Sequence, residues 1–370
     1  MSVLSMKRVI CFTESLGGGG AEHQIVILAG ALKEKGYDVS IITYADVPDH
    51  FLVPDGVKRV RIAEGKSTLI KFLSIFIFFI KIKVDCVISY RKMCNIRALV
   101  PLFFRSRRVK VICSERNTTV GHPDLARRFM VHVLYYRADY VVPNSESQKR
   151  YMCEENPRLV HKLRTIHNYT DLHHFSVLEF PSDMDIIKVA VFARYSKQKN
   201  PLIFAESLCE LKKRTNRLFE VHWYGNQESI NNGKNKDYLE VEAKVKELAI
   251  CDVFFLHSAI RDTSKFMNDY HAVCLPSLYE GFSNSIAEAI CCGKPMLVSD
   301  VSDNAIMVHN GENGFLFDPK QTDSICEAFL RFFSLSLEEM KQMAYKSREI
   351  AETLFNKEHF ISQYIELIES

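Results

Sequence analysis

Short apolar segments alternate with longer amphipathic ones along the chain, and the alternation runs through twice. In the first half, residues 8–12, 38–43, 57–62, 85–89, 109–113 and 139–143 read as strands. Residues 21–35, 68–81 and 123–137 read as helices. The first carries Ile25, Leu28, Ala29 and Leu32 on one face and has Gly36 as its C-cap. A polar stretch without any period, residues 171–185, interrupts the pattern. Strands resume at 187–192, 219–224, 253–255, 272–275 and 296–299. The helices between and after them are 201–215, 236–248, 285–292 and 322–333, and two more fill 337–369. Apolar strands alternating with helices build a parallel sheet covered on both faces. A chain of 370 residues exceeds what one core usually supports. Two such domains are therefore expected, at 1–180 and 186–354, with a closing helix at 355–370 that joins the first.

With 47% hydrophobic and 25% charged residues, the composition excludes a disordered chain. The 11 cysteines form no Cys-x-x-Cys pair and read as reduced thiols, which predicts a reducing, cytoplasmic setting. The apolar run at 9–12 is too short for a signal peptide. A net charge of +3 hides an asymmetry. Residues 58–110 hold 14 Lys or Arg against only Glu64 and Asp85. This segment contains the most apolar stretch of the protein, residues 72–80, bracketed by Lys66, Lys71, Lys81 and Lys83. It is too short to span a bilayer, which takes roughly 20 apolar residues. Two readings stay open: a helix lying on an anionic membrane surface, or one buried against a sheet with its lysines snorkelling.

Chemistry is expected where strands end. Leu275 closes a strand, a polar loop carries Glu280, and a helix bearing Glu288 runs from near Ser285 to Gly293. Ligands of open α/β sheets bind at such C-terminal ends. Two carboxylates there can accept hydrogen bonds from hydroxyl-rich groups, and the helix N-terminus favours an anion such as diphosphate. The competing reading makes Ser285 and Glu288 a capping box with no role beyond the helix. A second loop, again between strand and helix, holds Arg194, Lys197 and Lys199 before Pro201. Cations so placed can clamp phosphates, although solvated basic loops are common. The glycine run at 17–20 lets a phosphate or sugar approach the backbone. It lacks the Gly-x-Gly-x-x-Gly spacing.

In order and spacing these segments resemble the retaining glycosyltransferases of family 4, and the resemblance covers nearly the whole chain. Residues 17–22 are similar to that family's Gly-Gly-Ala-Glu opening, 138–145 to its sixth strand, and 166–168 to the element before its linker. Arg194, Lys199 and Asn200 match its basic loop. Glu280 and Glu288 match its pair of glutamates separated by seven residues, and 313–317 its Asn-Gly-Phe-Leu-Phe turn.

The resemblance implies a GT-B fold, in which two Rossmann-like parallel-sheet domains face a cleft. It also implies transfer of a hexose from a nucleotide sugar with retained anomeric configuration. Arg194 and Lys199 would hold the donor diphosphate and stabilise the leaving nucleotide. Glu288 would bind ribose, and Glu280 the transferred sugar. Gly281, Phe282, Ser283, Asn284 and Ser285 would line the donor, with Gly19 and Gly20 meeting it from the N-terminal domain. No cofactor or metal is implied, because cations and helix dipoles do that electrostatic work. Asp183-Met-Asp185 reads as a coincidental Asp-x-Asp, and His173 and His174 lack further ligands at metal spacing. The family often has a histidine where this chain reads 113–117, so the nearest one is His122, and it often has a glycine where this chain has His257. UDP is the first expectation for the nucleotide. The expected acceptor is a lipid-linked or polysaccharide glycan of a bacterial cell surface, met by an enzyme peripheral on the inner membrane face. No nucleic-acid partner is expected. The alternatives are a nucleotide-sugar epimerase or hydrolase of the same fold, a dinucleotide oxidoreductase, and a non-catalytic membrane-surface scaffold.

Overall fold

The computed structural model describes residues 6–17, 19–104, 109–116, 125–177, 179–228, 233–260 and 262–370. Gly18, Asn117, His122 and the predicted helix start at 123 lie outside the described residues. The chain divides into two compact units, Met1–Tyr169 with Lys357–Ser370, and Thr170–Asn356.

The first unit is built on β1 (Arg8–Phe12), β2 (Asp38–Thr43), β3 (Lys58–Arg61), β4 (Cys86–Tyr90), β5 (Lys110–Glu115) and β6 (Tyr140–Pro143). They form one sheet in the order β3-β2-β1-β4-β5-β6, and every pairing is parallel. The helices are α1 (Gly20–Glu34), α2 (Thr68–Lys81), α3 (Lys92–Phe103), α4 (Leu125–His132) and α5 (Glu146–Glu155). Strands buried on both faces need the near-continuous apolar runs seen at β1 and β4. Phe12 packs edge-on against Phe79 of α2, with centroids 5.0 Å apart, in a core shared with Ile10, Val87, Val111 and Val141. Only Ile75 and Phe79 of α2 are buried. Leu69, Ile70, Phe72, Leu73 and Ile77 stand exposed, as do Phe103 and Phe104 at the end of α3. The segment thus packs on the sheet through Ile75 and Phe79 and leaves its other apolar face exposed. Among the described residues, no helix is long and apolar enough to cross a membrane.

The second unit has β7 (Ile186–Phe192), β8 (Leu218–Gly225), β9 (Phe254–Ser258), β10 (Ala272–Leu275), β11 (Met296–Ser299) and β12 (Gly314–Phe317). Its sheet runs β12-β11-β10-β7-β8-β9, again all parallel. Its helices are α6 (Pro201–Arg214), α7 (Lys236–Glu247), α8 (Asn284–Cys291), α9 (Asn304–Met307), α10 (Thr322–Phe333) and α11 (Leu337–Leu354). Trp223, Phe204, Phe254 and Phe329 interlock at centroid distances of 5.8–6.2 Å. The last helix, α12 (Lys357–Glu369), belongs to the first unit. There Tyr364 bonds Tyr90 (2.8 Å) and Phe360 packs on Tyr169.

In each sheet one strand is the point at which strand order reverses: β1 lies between β2 and β4, and β7 between β8 and β10. The crevice outside the C-terminal ends at such a point is where open α/β sheets bind ligands. The loops leaving β1, β4, β7 and β10 border these crevices.

Candidate active site

The loop after β7 carries Arg194, then a single 3-10 turn, Lys197–Lys199. Asn200 takes the left-handed conformation (φ 59°), its amide donates to Pro319 O (2.7 Å), and Pro201 starts α6. The loop after β10 carries Glu280. Main-chain and amide bonds zip the two loops together: Leu278 N–H donates to Gln198 O (2.9 Å), and Gln198 Nε2 donates to Tyr279 O (3.0 Å). Lys199 Nζ consequently reaches Glu280 Oε1 at 2.5 Å, with both side chains about nine-tenths buried. Arg194 is exposed and forms no ion pair among the described residues. An open depression of about 540 Å³ beside Leu278 is bordered by Asp300, Val301, Pro319 and Lys320.

The helix α8 starts at Asn284, and the side chain of its N-cap residue, Ser283, makes no capping bond to it. That turn is aimed by Ser285, whose hydroxyl donates to Phe192 O at the end of β7 (2.8 Å). Gly281 and Ser283 complete the lead-in, and Phe282 is buried against Phe355. Glu288 sits in the second turn, and its Oε2 accepts from Thr263 Oγ1 (3.2 Å). The capping-box reading therefore fails: the N-cap is Ser283, the Ser285 hydroxyl is spent on Phe192 O, and Glu288 is engaged by Thr263. Burial pushes the Glu288 carboxyl up to about 7; the Thr263 hydroxyl opposes this and Asp262 adds to it. On the β7–β9 side, Phe192, Tyr224 and His257 stack in a rank across neighbouring strand ends, with centroids 5.4 and 4.6 Å apart.

In the first unit, the loop after β1 turns through Gly19 N–H to Gly17 O (2.6 Å), and Gly20 opens α1. Glu22 in that first turn is buried and pairs with Arg91 at the end of β4 (2.8 Å). Burial raises the Glu22 carboxyl, and Arg91 opposes the rise. A Cβ on Gly19 would collide with the Glu22 carboxylate and lie 3.2 Å from Arg91. Arg91 holds φ 81°, a region that disfavours every residue but glycine.

Residues 18–174 match the model of glycosyltransferase family 4, and residues 179–350 that of the group 1 glycosyl transferases. The chain belongs to the group 1 glycosyltransferases of family 4. Among its relatives is the N-acetylgalactosamine-N,N'-diacetylbacillosaminyl-diphospho-undecaprenol 4-alpha-N-acetylgalactosaminyltransferase of Campylobacter jejuni. The two are 23% identical, over 81% of this chain and 82% of that one. The UDP-Gal:alpha-D-GlcNAc-diphosphoundecaprenol alpha-1,3-galactosyltransferase of Escherichia coli is 29% identical, over 36% of this chain and 33% of its own. The HepE protein of Anabaena, solved with UDP-glucose, superposes with a TM-score of 0.79 at 17% identity, covering 98% of this chain and 99% of that one. The fold is GT-B, with two parallel six-stranded sheets.

Within this glycosyltransferase, Arg194, Lys199, Glu280, Glu288 and residues 281–285 all lie on the loops and helix that leave β7 and β10. Gly19 and Gly20 lie at the corresponding point of the first unit. In the stretch 113–117, Arg116 is a structural tie, bonding Asn168 (2.6 Å), Tyr90 (2.8 Å) and Tyr364. Asp183 is engaged by an Asx turn with Asp185 (2.9 Å) and by a bond from His271 to its carbonyl (2.7 Å). Sequence reasoning missed Thr263, Ser302 and the Glu22–Arg91 pair. Thr263 and Ser302 reach their partners across 25 and 22 residues, so no local pattern announces them. Arg91 carried a weak signal in its place directly after an apolar strand.

Proposed function

We propose that this enzyme transfers a hexose from a UDP-sugar to a lipid-diphosphate-linked glycan, with retained configuration, during assembly of a bacterial surface polysaccharide. The observation that carries the reading is the Lys199–Glu280 pair, held beside an exposed Arg194 and the N-terminus of α8. That is a cation-rich, dipole-aligned seat for a diphosphate, with a carboxylate placed for sugar hydroxyls. Arg194 and Lys199 take the diphosphate, Glu288 the ribose, Glu280 the transferred sugar, and Gly19 and Gly20 the donor contacts that the family pattern gives them.

The bond from the sugar's anomeric carbon to the diphosphate breaks as the acceptor hydroxyl bonds to the same face. The hydroxyl proton passes to the departing phosphate oxygen, and the cations stabilise the charge that develops there. No covalent sugar–enzyme intermediate is needed, unlike the paired-carboxylate retaining hydrolases.

The activities of both relatives support the acceptor and linkage: each is named for a diphospho-undecaprenol carrier and an alpha bond, and one for UDP-Gal. The exposed apolar side of α2, with Lys66, Lys81 and Lys83 around it, supports a lipid surface as the place of work. Incubating the chain with UDP-galactose or UDP-N-acetylgalactosamine and an undecaprenyl-diphosphate-linked sugar should yield an acceptor heavier by one residue. An unchanged acceptor alongside an altered or hydrolysed donor would favour the epimerase or hydrolase reading instead.

A further inference from the structure

Ser302 stands in the loop after β11 with φ 54°, a left-handed conformation that favours glycine. It occupies a central position of a turn closed by Asn304 N–H to Val301 O (3.1 Å). Asn304 also braces the turn through Nδ2 to Ser299 O (2.9 Å). Nothing in the turn itself calls for a side chain at 302. The reason for one lies across the loop. The Ser302 hydroxyl accepts from Glu280 N–H (3.1 Å) and donates to Glu280 C=O (2.6 Å). A single hydroxyl thus satisfies both main-chain polar groups of Glu280. Strain held at one residue in order to fix another is a pattern found at functional sites.

We infer that Ser302 is a positioning residue, which fixes the Glu280 main chain so that its carboxylate meets both Lys199 and the transferred sugar. The inference rests on the reading of Glu280 as the sugar contact. Three anchors then define that carboxylate: the Ser302 hydroxyl behind the main chain, the zip between residues 198 and 278–279, and Lys199 Nζ at its tip. Losing the first leaves the fold and the cations in place and loosens the carboxylate alone.

The test compares Ser302→Gly, Ser302→Ala, Glu280→Gln and the double variant Ser302→Gly with Glu280→Gln, all in the full chain. Melting temperature, UDP affinity, and UDP release from UDP-galactose and UDP-N-acetylgalactosamine with acceptor present are the readouts. Both variants lose the hydroxyl's two bonds and should melt lower than the parent, Ser302→Gly by less than Ser302→Ala because it relieves the left-handed backbone strain. Both should bind UDP within about twofold of the parent but turn over on the order of tenfold more slowly, since loosened positioning is costly in rate. The double variant should be no slower than Glu280→Gln, because the two changes remove one shared effect. Parental turnover in Ser302→Gly alongside a slow Glu280→Gln overturns the inference alone. A turnover loss in both variants no larger than the loss of folded protein at the assay temperature also overturns it, by making the hydroxyl only a pin of the fold. Parental turnover in Glu280→Gln instead rejects the reading of Glu280 and removes the inference with it.

Discussion

Lys199 Nζ lies 2.5 Å from Glu280 Oε1, and both groups are almost out of reach of water. The pair joins the loops that leave β7 and β10, the two strands at the order reversal of the second sheet. A buried pair is worth little in net stability, but removing one member strands the other charge, at a cost of about 3–5 kcal/mol. The two cations assigned to the diphosphate should therefore behave differently when removed.

Arg194→Ala should leave the melting temperature unchanged, since the side chain is exposed and unpaired among the described residues. Its nucleoside diphosphate affinity should fall about ten- to a hundredfold, matching the loss of one charge-assisted contact, while free nucleoside binding stays as it was. Lys199→Ala should lose similar affinity and also melt markedly lower. Calorimetric titration with UDP and uridine, alongside melting curves, separates the two. Undiminished UDP affinity in both variants would reject the diphosphate assignment.

Glu288 gives a pH signature. Its carboxyl is raised from 4.5 to about 7 by burial. The folded chain thus keeps a proton that the unfolded chain has released, and this group's contribution to stability declines as pH rises from 4.5 to about 7. Binding runs the other way, because the ionised carboxylate is the better acceptor for ribose hydroxyls. Preference for uridine over 2′-deoxyuridine should grow as pH rises through about 7 and level off above it. Glu288→Gln should flatten both profiles. Unchanged discrimination in that variant would leave Glu288 without a ribose role.

A side chain at Gly19 requires the carboxylate that Glu22 offers to Arg91 to move, because a Cβ there meets it. Gly19→Val should displace that carboxylate, break the pair and reshape the start of α1. The donor nucleotide is assigned to the second unit, so UDP affinity should change little while turnover falls by at least about tenfold. A Gly19→Val enzyme with parental turnover would remove the glycine loop from the site.

Much of this was legible in the chain itself. Residues 68–81, 272–275, 296–299 and 322–333 fold with the boundaries their periodicity predicts, because strong apolar patterning and clear stop signals coincide there. The helix α3 was hidden by Pro101 inside it and by the mixed polarity of its first turns. The helix α5 has few apolar residues, though Ser145 accepting from Gln148 N–H (3.2 Å) is a cap that Ser-x-x-Gln announces. The strand β12 was read as a turn because four residues that begin with a glycine give too short a period. At the site, the glutamates and cations were visible from type and spacing. Their supports were not: Ser285 fits a local cap on paper, yet in the fold its hydroxyl goes to Phe192 O. Tertiary partners of that kind leave no mark in a single sequence.

The exposed side of α2 predicts salt-sensitive membrane binding. Polybasic attraction is worth about 1 kcal/mol per residue near an anionic surface, and Leu69, Phe72, Leu73 and Ile77 supply apolar area to insert. The chain should sediment with anionic vesicles at low salt and far less at high salt, and not with neutral vesicles. Replacing Leu69, Phe72 and Leu73 together by serine should abolish sedimentation without lowering UDP affinity. No sedimentation of the parent at low salt would detach α2 from any lipid surface.

The central claim is that a sugar leaves an α-linked UDP donor and arrives on the acceptor with its configuration kept. Proton NMR of the earliest product, formed from UDP-galactose or UDP-N-acetylgalactosamine on an undecaprenyl-diphosphate-linked sugar, reads this directly from the anomeric coupling. The account predicts the small coupling of an α-linked product. The large coupling of a β-linked product would contradict the same-face mechanism and the roles given to Lys199 and Glu280.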